Sequence, residues 1–431
     1  MGEANEGQKM YALCAKMFPY CRSITGDGVR ETLATLQEIV PEITVHEVKS
    51  GTKAFDWTVP KEWRIRDAWI KNSRGKKIVD FKKHNLHVVG YSTPVDKYVN
   101  LEELKTILYT QPDQPDAIPY VTSYYKECYG FCITQEQYDA LQEDNYHIYI
   151  DSELFDGSLT YGELIIPGES EQEILLSTYF CHPSMANNEL SGPAVSVYLA
   201  KWLMSMPKRR YTYRLVYVPE TIGSLTYMSQ GDHLEKMKAN VIAGWNLSCV
   251  GDDRTYSMVA TRYGNTLADK VTENVLGFIY PGFKHYSFLN RGSDERQYNA
   301  PGIDLPVCGF SRSKYGEYPE YHTSKDDMGL ISPAGLLGAY NAMQDCINTL
   351  EHNKKYKIQC LGEPQLGKRR LYPTISQKGS YDEVTSMVDF IAYADGMNDL
   401  IDISNIIGVP VKQIYPIAEK LAKAELIKAV D

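Results

Sequence analysis

Apolar and polar residues follow four successive patterns along this chain, of which the first three extend through the main domain. Residues 5–40 repeat apolar positions at helical spacing, and from about Phe55 the chain breaks into short strand-like runs separated by Pro, Gly and Asn. From about residue 145 onward, strand patterns and helix patterns alternate. This alternation predicts an α/β domain with a mostly parallel sheet flanked by helices on both faces.

Four apolar runs predict strands of that sheet: EILLSTYF, YTYRLVYVP, NVIAGWNLSCV and DLPVCGF. Helical patterns lie between or after these runs, at 192–205, 222–238, 264–276 and 332–351. In open α/β sheets, ligands bind outside the carboxyl ends of the strands. The residues that directly follow each predicted strand are therefore the first candidates for function.

A separate helical pattern follows the basic segment GKRRLYPTI, with helices predicted at about 382–394, 398–406 and 411–425. Their spacing is that of a winged helix-turn-helix. However, residues 381–431 contain nine acidic residues and only four lysines. Pro416 is expected to interrupt the helix that would read DNA. The acidic excess favours a packing role or a homo-oligomer contact over DNA binding.

These patterns predict three parts. The main α/β domain is expected at 1–50 and 126–368, an inserted β-rich domain at 51–125, and a winged-helix domain at 369–431.

Composition is that of an ordinary globular protein, with 43% hydrophobic and 23% charged residues. The net charge of −10 argues against a general affinity for nucleic acid. No apolar run reaches the roughly 18 residues of a membrane span, and the nine cysteines include no Cys-x-x-Cys pair. We therefore expect a cytoplasmic protein with reduced thiols and neither a membrane nor a nucleic-acid partner.

Three candidate metal ligands follow predicted strands. His182 comes after the first strand, Glu220 after the second and His322 after the fourth. A hydrolytic zinc ion takes about three protein ligands drawn from His and carboxylate and keeps one position open. Each residue also has a structural interpretation, as a hydrogen-bonded histidine, a helix-capping glutamate or a loop histidine. Their joint placement at strand ends favours a metal site.

Four motifs of this sequence resemble those of a known fold. In chain order they are His-Pro-Ser…Ala-Asn-Asn-Glu-Leu-Ser-Gly, Val-Pro-Glu-Thr-Ile-Gly-Ser, Arg-Gly-Ser-Asp-Glu-Arg-Gln-Tyr and Tyr-His-Thr-Ser-x-Asp-Asp. Together they resemble the zinc aminopeptidase-like fold. The chain is similar over nearly its whole length to a bacterial family that pairs an aminopeptidase-like domain with an inserted β domain and a C-terminal winged helix.

The resemblance implies roles for several residues. In the co-catalytic zinc aminopeptidases, two histidines, a bridging aspartate, a Glu-Glu pair and a later aspartate serve two metal ions. His182 and His322 match the two histidines, whereas Asn188 stands at the bridging aspartate and Ser248 at the later one. Glu220 matches either the ligand or the general base of the Glu-Glu pair, and both assignments stay open.

The missing carboxylates favour one zinc ion over two. Two dications about 3.7 Å apart repel by roughly 18 kcal/mol at an effective dielectric near 20. Neutral Asn188 offsets little of that repulsion. Glutaminyl cyclases share the fold and use a single zinc, so we expect a mononuclear site on His182, Glu220 and His322, with Asn188 or Glu189 nearby.

Further residues are expected around this site. Glu189, Asp294 and Glu295 are candidates for the general base or for groups that support the ligands, although Asp294 could instead cap a turn. Four tyrosines are expected to line a substrate pocket, with packing as the alternative: Tyr315, Tyr318, Tyr321 and Tyr124.

The sequence therefore predicts a zinc-dependent hydrolase of aminopeptidase-like fold that acts on an amide or peptide-type bond of a small-molecule or peptide-like substrate. The alternative is a non-hydrolytic ligand-binding or assembly protein on a degenerate aminopeptidase scaffold. The missing Glu-Glu pair and Ser248 motivate that alternative.

Overall fold

The computed structural model describes residues 5–371 and 382–430, so the predicted segment GKRRLYPTI lies partly outside the described residues. The strands, in chain order, are β1 (Thr44–Lys49), β2 (Lys53–Ala54), β3 (Trp57–Thr58), β4 (Glu62–Lys71), β5 (Lys77–Asp80), β6 (Val95–Asn100), β7 (Leu108–Tyr109), β8 (Phe131–Cys132), β9 (Asn145–Phe155), β10 (Ser158–Ile166), β11 (Glu173–Tyr179), β12 (Thr212–Val218), β13 (Val241–Leu247), β14 (Ser257–Val259), β15 (Lys284–Tyr286), β16 (Val307–Ser311), β17 (Lys355–Ile358), β18 (Asp395–Asp399) and β19 (Ile427–Val430).

The α-helices are α1 (Glu6–Met17), α2 (Asp27–Gln37), α3 (Leu101–Lys105), α4 (Gln135–Asp139), α5 (Ser191–Ser205), α6 (Ile222–Ser229), α7 (His233–Asn240), α8 (Leu267–Ile279), α9 (Glu295–Tyr298), α10 (Pro333–His352), α11 (Asp382–Tyr393), α12 (Leu400–Ile407) and α13 (Val411–Lys423). None of the helices described here is both long enough and apolar enough to cross a bilayer.

The chain folds as two units, one of residues up to Gly264 plus Lys284–Tyr340 and the other of Asn265–Phe283 plus the residues from Asn341 onward.

An eight-stranded sheet forms the centre of the first unit, in the order β1-β10-β12-β11-β13-β16-β14-β15. The four central strands β12, β11, β13 and β16 run parallel, whereas β10 and β14 join them antiparallel. Every residue of β11 is buried, as expected for a strand covered by helices on both faces. The predicted α/β fold is confirmed, and its sheet is mixed.

A second, four-stranded antiparallel sheet has the order β5-β4-β9-β6. Along β9, buried Tyr146, Ile148 and Ile150 alternate with half-buried His147 and Tyr149. This period of two gives the sheet its own apolar core on one face. Its strands come from residues 62–155, so the sheet continues beyond residue 125, and the domain boundaries given above stay a prediction.

The second unit contains α8, the helices α11 to α13 and a small antiparallel sheet in the order β18-β17-β19. Pro416 was expected to interrupt the third of these C-terminal helices, but α13 runs through it from Val411 to Lys423. Burial of Val411, Ile414 and Leu421 on one face stabilises the helix. That burial offsets the roughly 3 kcal/mol that an internal proline costs.

Close packing at the start of α5 generates a first prediction. A Cβ on Gly192 would collide with the Thr178 hydroxyl and with the Leu247 carbonyl oxygen, and the second of these is a backbone atom that cannot easily move. Gly192→Ala should therefore lower the free energy of unfolding by about 1–3 kcal/mol in a urea titration. The control is Gly277→Ala in α8, where a Cβ meets nothing within 4 Å. That variant should be neutral or slightly more stable, and equal effects of both substitutions would contradict the packing argument.

A buried ion-pair network generates a second prediction. Arg214 on β12 donates to both carboxylate oxygens of Glu173 at 2.6 and 2.8 Å, to Glu163 at 2.8 Å and to the Tyr227 hydroxyl at 2.6 Å. Arg214 and Glu173 are each only 6% exposed. Arg214→Met would leave a buried carboxylate unpaired and should cost about 3–5 kcal/mol of unfolding free energy.

The matched control for this network is Arg66→Met, which removes an exposed pair with Asp151 and Glu153 on the smaller sheet. Exposed pairs contribute less than about 1 kcal/mol. If urea titrations showed the same loss for both arginine variants, the energetic role assigned to the buried network would be wrong.

Candidate active site

A cavity of about 330 Å³ opens at the carboxyl end of the central strands. Beyond β11, residues Cys181 and His182 form part of its wall, and beyond β12, residues Glu220 and Thr221 form another. The remaining lining residues are Ile24, Trp57, Tyr120, Thr122, Tyr124, Tyr125, Ile222, Arg296 and His322. The cavity thus brings together His182, Glu220, His322 and Tyr124 from the residues singled out in the sequence.

His182 lies in the tight turn that leads from β11 toward α5. Its Nδ1 lies against Oε1 of Glu189, and the other carboxylate oxygen of Glu189 accepts a hydrogen bond from the Cys181 backbone N–H. Glu189 is fully buried and His182 is 5% exposed. Burial alone lowers the pKa of His182, but the charge and contact of Glu189 outweigh that effect and raise it.

A buried arginine lies beneath this turn. Arg22 is fully buried, and its Nε donates to the His182 carbonyl oxygen at 3.2 Å while its Nη1 donates to the Met17 carbonyl oxygen at 2.7 Å. Burial lowers the pKa of Arg22, and the charge of Glu189 opposes that shift. The Glu189 carboxylate therefore interacts with two positively charged or ionisable groups, Arg22 and His182.

Glu220 follows β12 and precedes α6. The next residue, Thr221, has φ of +63°, and its N–H donates to Oδ1 of Asp294 at 2.7 Å. Burial and the charge of Glu189 raise the pKa of Glu220, whereas the positive charges of His182 and Arg296 lower it. Glu220 thus presents a carboxylate to the cavity from a backbone turn that few residues adopt.

His322 reaches the cavity from the loop after β16. It has φ of +57°, and its carbonyl oxygen accepts a hydrogen bond from the Tyr120 N–H at 3.0 Å. The Tyr321 ring stacks on the imidazole with centroids 3.8 Å apart. The His322 Nε2 is buried without a hydrogen-bond partner in the chain, and burial lowers its pKa. His322 is therefore a neutral imidazole with one unpartnered nitrogen.

The two histidines lie side by side. Their ring centroids are 5.0 Å apart, and the Tyr120 ring contacts both, with centroids 4.5 Å from His182 and 5.2 Å from His322. The Tyr120 hydroxyl is 2.5 Å from that of Tyr124. Tyr120 and Tyr124 therefore line the same cavity as the imidazoles.

Asn188 does not line the cavity. Its Nδ2 donates to the Tyr179 hydroxyl at 2.9 Å, and its backbone N–H donates to Oδ2 of Asp326 at 3.0 Å. Asp326 also accepts from the Asn187 N–H at 2.6 Å and from the Tyr318 hydroxyl at 2.9 Å. Asp326 thus fastens the turn that contains Asn188 to the loop that contains His322. The Oδ1 of Asn188 is buried and makes no hydrogen bond within the chain.

Other predicted residues also lie outside the cavity lining. Asp294 is fully buried, and its Oδ1 accepts from the Thr221 N–H and the Ser224 hydroxyl. Burial and the charge of Glu220 raise the pKa of Asp294 to about 8. Glu295 accepts hydrogen bonds from the N–H groups of Gly292 and Ser293.

The three tyrosines that precede His322 differ in position. The Tyr315 hydroxyl donates to Glu295 and the Tyr318 hydroxyl to Asp326, and both residues are buried. Tyr321 is half-buried, is not among the residues that line the cavity, and stacks on His322. The structure therefore places these residues behind the cavity wall.

Sequence reasoning assigned no role to Arg22, Tyr120, Asp326 or Arg296. Asp326 was within reach, because it belongs to the quoted Tyr-His-Thr-Ser-x-Asp-Asp motif. Arg296 likewise belongs to the quoted Arg-Gly-Ser-Asp-Glu-Arg-Gln-Tyr motif, whereas Arg22 and Tyr120 have no local signal. Arg22 contacts a residue 160 positions away, and Tyr120 pairs with His322 across two distant loops.

The groups around the cavity fit a metal ion. His182, Glu220 and His322 supply two imidazoles and a carboxylate, which is a ligand set that zinc accepts. A carboxylate against Nδ1 leaves the His182 Nε2 for a ligand, as is usual for histidines that bind metal. Among the described residues, the group of candidate ligand atoms that lie within 4.8 Å of one another is that of Cys181, His182 and Glu189, whereas Glu220 and His322 share only the cavity with His182. The unpartnered, buried Nε2 of His322 meets the same requirement.

Relatives of known structure agree with this fold. A crystal structure of a Clostridium acetobutylicum protein described as a peptidase is 45% identical and has a TM-score of 0.92, covering 98% of this chain and 96% of that one. A zinc aminopeptidase from Bacillus subtilis is 12% identical with a TM-score of 0.60, covering 81% of this chain and 96% of that one. At that identity the second comparison shows the fold alone.

Sequence relatives point the same way. A Clostridium acetobutylicum protein named for polysaccharide biosynthesis and an aminopeptidase-like domain is 46% identical over 430 residues, or 98% of this chain and 97% of that protein. The C-terminal part, residues 354–429, matches the winged helix-turn-helix model, which confirms the predicted module. Residues 11–353 match the model of the domain of unknown function DUF4910, and the chain therefore belongs to the DUF4910 family.

Proposed function

We propose that this protein is a metal-dependent hydrolase of an amide or peptide-type bond, with one zinc ion. The observation that carries the proposal is the convergence of His182, Glu220 and His322 on one cavity from three separate segments of the chain. Two imidazoles and a carboxylate at the carboxyl ends of parallel strands match the ligand count of a catalytic zinc site.

His182, Glu220 and His322 would hold the metal. When bound, zinc in such a site polarises a carbonyl group and lowers the pKa of a water molecule. The protein's own contribution is to fix the ligands. Glu189 fixes the ring orientation of His182, and Tyr321 stacking fixes that of His322. Burial keeps His322 neutral, which is the form that binds metal.

Asp294 and Glu220 form a pair of interacting carboxyl groups. Burial and the charge of Glu220 raise the pKa of Asp294 to about 8, so Asp294 retains a proton more readily than an ordinary carboxyl group does. Proton retention there favours the ionised form of Glu220, which a metal ligand or a general base must adopt. Asp294 also holds the Thr221 N–H, so it controls the backbone turn that positions Glu220.

One ion is favoured over two for a reason visible at Asn188. Its Nδ2 donates to Tyr179 and its side chain is neutral, so this position offers no bridging charge between two dications. Ser248 stands where the two-metal aminopeptidases have their later aspartate. It is 2% exposed and likewise supplies no carboxylate. Because neither position carries a carboxylate, the negative charge that remains at the site is enough for one divalent ion but not for two.

The choice of substrates for assay follows from the cavity and the relatives. A cavity of about 330 Å³ suits a small substrate. Because one relative is named for polysaccharide biosynthesis, the amide panel should include N-acetylated sugars beside aminoacyl amides and N-acyl amino acids. Bound metal without turnover across that panel would favour a non-hydrolytic ligand-binding protein on the same scaffold.

Metal content tests the ligand assignment. Protein purified without chelator should contain about one zinc per chain by mass spectrometry of the metal. His182→Ala and His322→Ala should each reduce occupancy at least about tenfold, because each removes one of three ligands. The control is His285→Ala, an exposed histidine on β15 outside the cavity. Full occupancy in both cavity variants would reject the assignment.

Glu220→Gln separates its two candidate roles. As a ligand, Glu220 contributes negative charge, so the variant should lose zinc as well as hydrolysis, with turnover reduced at least about 100-fold. Exposed Glu235→Gln on α7 serves as the control and should change neither quantity. A variant that retains full zinc occupancy while losing turnover would make Glu220 the general base and would require another third ligand.

A further inference from the structure

We infer that Arg296 selects substrates that carry a carboxylate close to the bond that is broken. This inference deepens the proposed function and rests on it for the identity of the reaction. Arg296 was not singled out in the sequence, and it is the one residue with a fixed positive charge among the described residues that line the cavity.

Arg296 is an exposed residue, and a hydrogen bond to Thr221 positions its side chain. It lies in the short helix α9 between the fully buried residue Glu295 and the partly buried residue Gln297. Its Nη2 donates to the Thr221 hydroxyl at 2.8 Å, and the Thr221 N–H is fixed by Asp294. The guanidinium is therefore pre-oriented at the cavity, which reduces the entropy cost of binding a ligand.

The guanidinium has no carboxylate within 4 Å among the described residues, although its charge acts on Glu220 across the cavity. Arg296 forms no ion pair within residues 5–371 and 382–430, and its side chain donates a hydrogen bond to a neutral hydroxyl. Some other arginines of the first unit form ion pairs, as Arg214 does with Glu173 and Arg254 does with Glu320. In a chain of net charge −10, an unpaired guanidinium on the wall of a cavity is suited to bind an anion.

The expected anion is a carboxylate with a single charge. A phosphate group carries about −1.5 to −2 charges at neutral pH and is usually bound by several cations or helix termini. Here one guanidinium shares the cavity with the carboxylate of Glu220, which would repel a dianion more strongly. Arginine also matches the planar geometry of a carboxylate with two parallel hydrogen bonds.

The contact between Arg296 and Thr221 determines how far a bound carboxylate would lie from the bond that is broken. Arg296 bonds to Thr221, the residue next to Glu220, so a bound carboxylate would lie only a few bonds from a carbonyl held by the metal ligands. Trp57 and Tyr125, which also line the cavity, form an edge-to-face pair with centroids 5.6 Å apart and are 38% and 60% exposed. These rings offer an apolar wall for an acyl group or side chain. The substrate class that fits is therefore an N-acyl amino acid or a similar carboxylate-bearing amide.

Equilibrium binding tests this inference without requiring turnover. Benzoylglycine and its neutral amide, benzoylglycinamide, differ only in the carboxylate and are titrated into the full chain by calorimetry. The wild-type protein should bind the acid at least about tenfold more tightly than the amide. Arg296→Gln should reduce that ratio to within about twofold, because the charge contact with the carboxylate is lost, and the amide titration and zinc content of the same variant measure any effect on the rest of the site.

Two further variants sharpen the test. Arg296→Lys keeps the charge but not the planar fork, and should retain an intermediate preference for the acid. Arg291→Gln removes an exposed arginine of the preceding loop that does not line the cavity, and should behave as wild type. Hydrolysis of the acid and the amide, where it occurs, should show the same ratios in kcat/KM.

Several outcomes would overturn the inference. They are equal binding of acid and amide by wild type, no binding of the acid at millimolar concentration, or an unchanged preference in Arg296→Gln. Inorganic phosphate that displaces benzoylglycine at lower concentration than acetate does would reassign the site to phosphate. Retained discrimination without any hydrolysis would instead reject the proposed reaction and leave the carboxylate site standing.

Discussion

The buried charge of Glu189 is the constraint on which the candidate site depends. A carboxylate without solvent exposure must be paired, and Glu189 is paired with the His182 imidazole, the Cys181 N–H and the charge of Arg22. These contacts tie the first helix region to the turn after β11. The same pairing orients His182 toward the cavity, so one interaction serves both the stability of the turn and the geometry of the site.

The rest of the site is assembled around this turn by loops that are distant in sequence. Asp326 binds two consecutive backbone N–H groups of the turn, and the Tyr120 N–H binds the carbonyl oxygen of His322. Thr221 and His322 both have positive φ, a conformation that costs of the order of 1–3 kcal/mol for a non-glycine residue. Such strain persists only where surrounding contacts enforce it, and both residues line the cavity.

The parts of the structure that could be predicted are those with a local signal. Continuous apolar runs identified β11, β12, β13 and β16, and the rule that ligands bind at strand ends identified His182, Glu220 and His322. Arg22 could not be found in this way, because its role comes from contacts with distant segments, and Arg296 belongs to a quoted motif but does not directly follow a predicted strand. The spacing of Tyr315 and Tyr318 in a loop did not determine where their side chains would point. Their hydroxyls donate to buried carboxylates behind the cavity wall. The helix at Pro416 shows the same limit, since burial of one face outweighed a local breaker.

The central claim is a mononuclear metal site between three named side chains. It is tested most directly by an anomalous difference map from crystals of the full chain, measured on both sides of the zinc absorption edge. We predict one peak at stoichiometric occupancy, within coordination distance of His182, Glu220 and His322. No peak in the cavity, or two peaks there, would contradict the account.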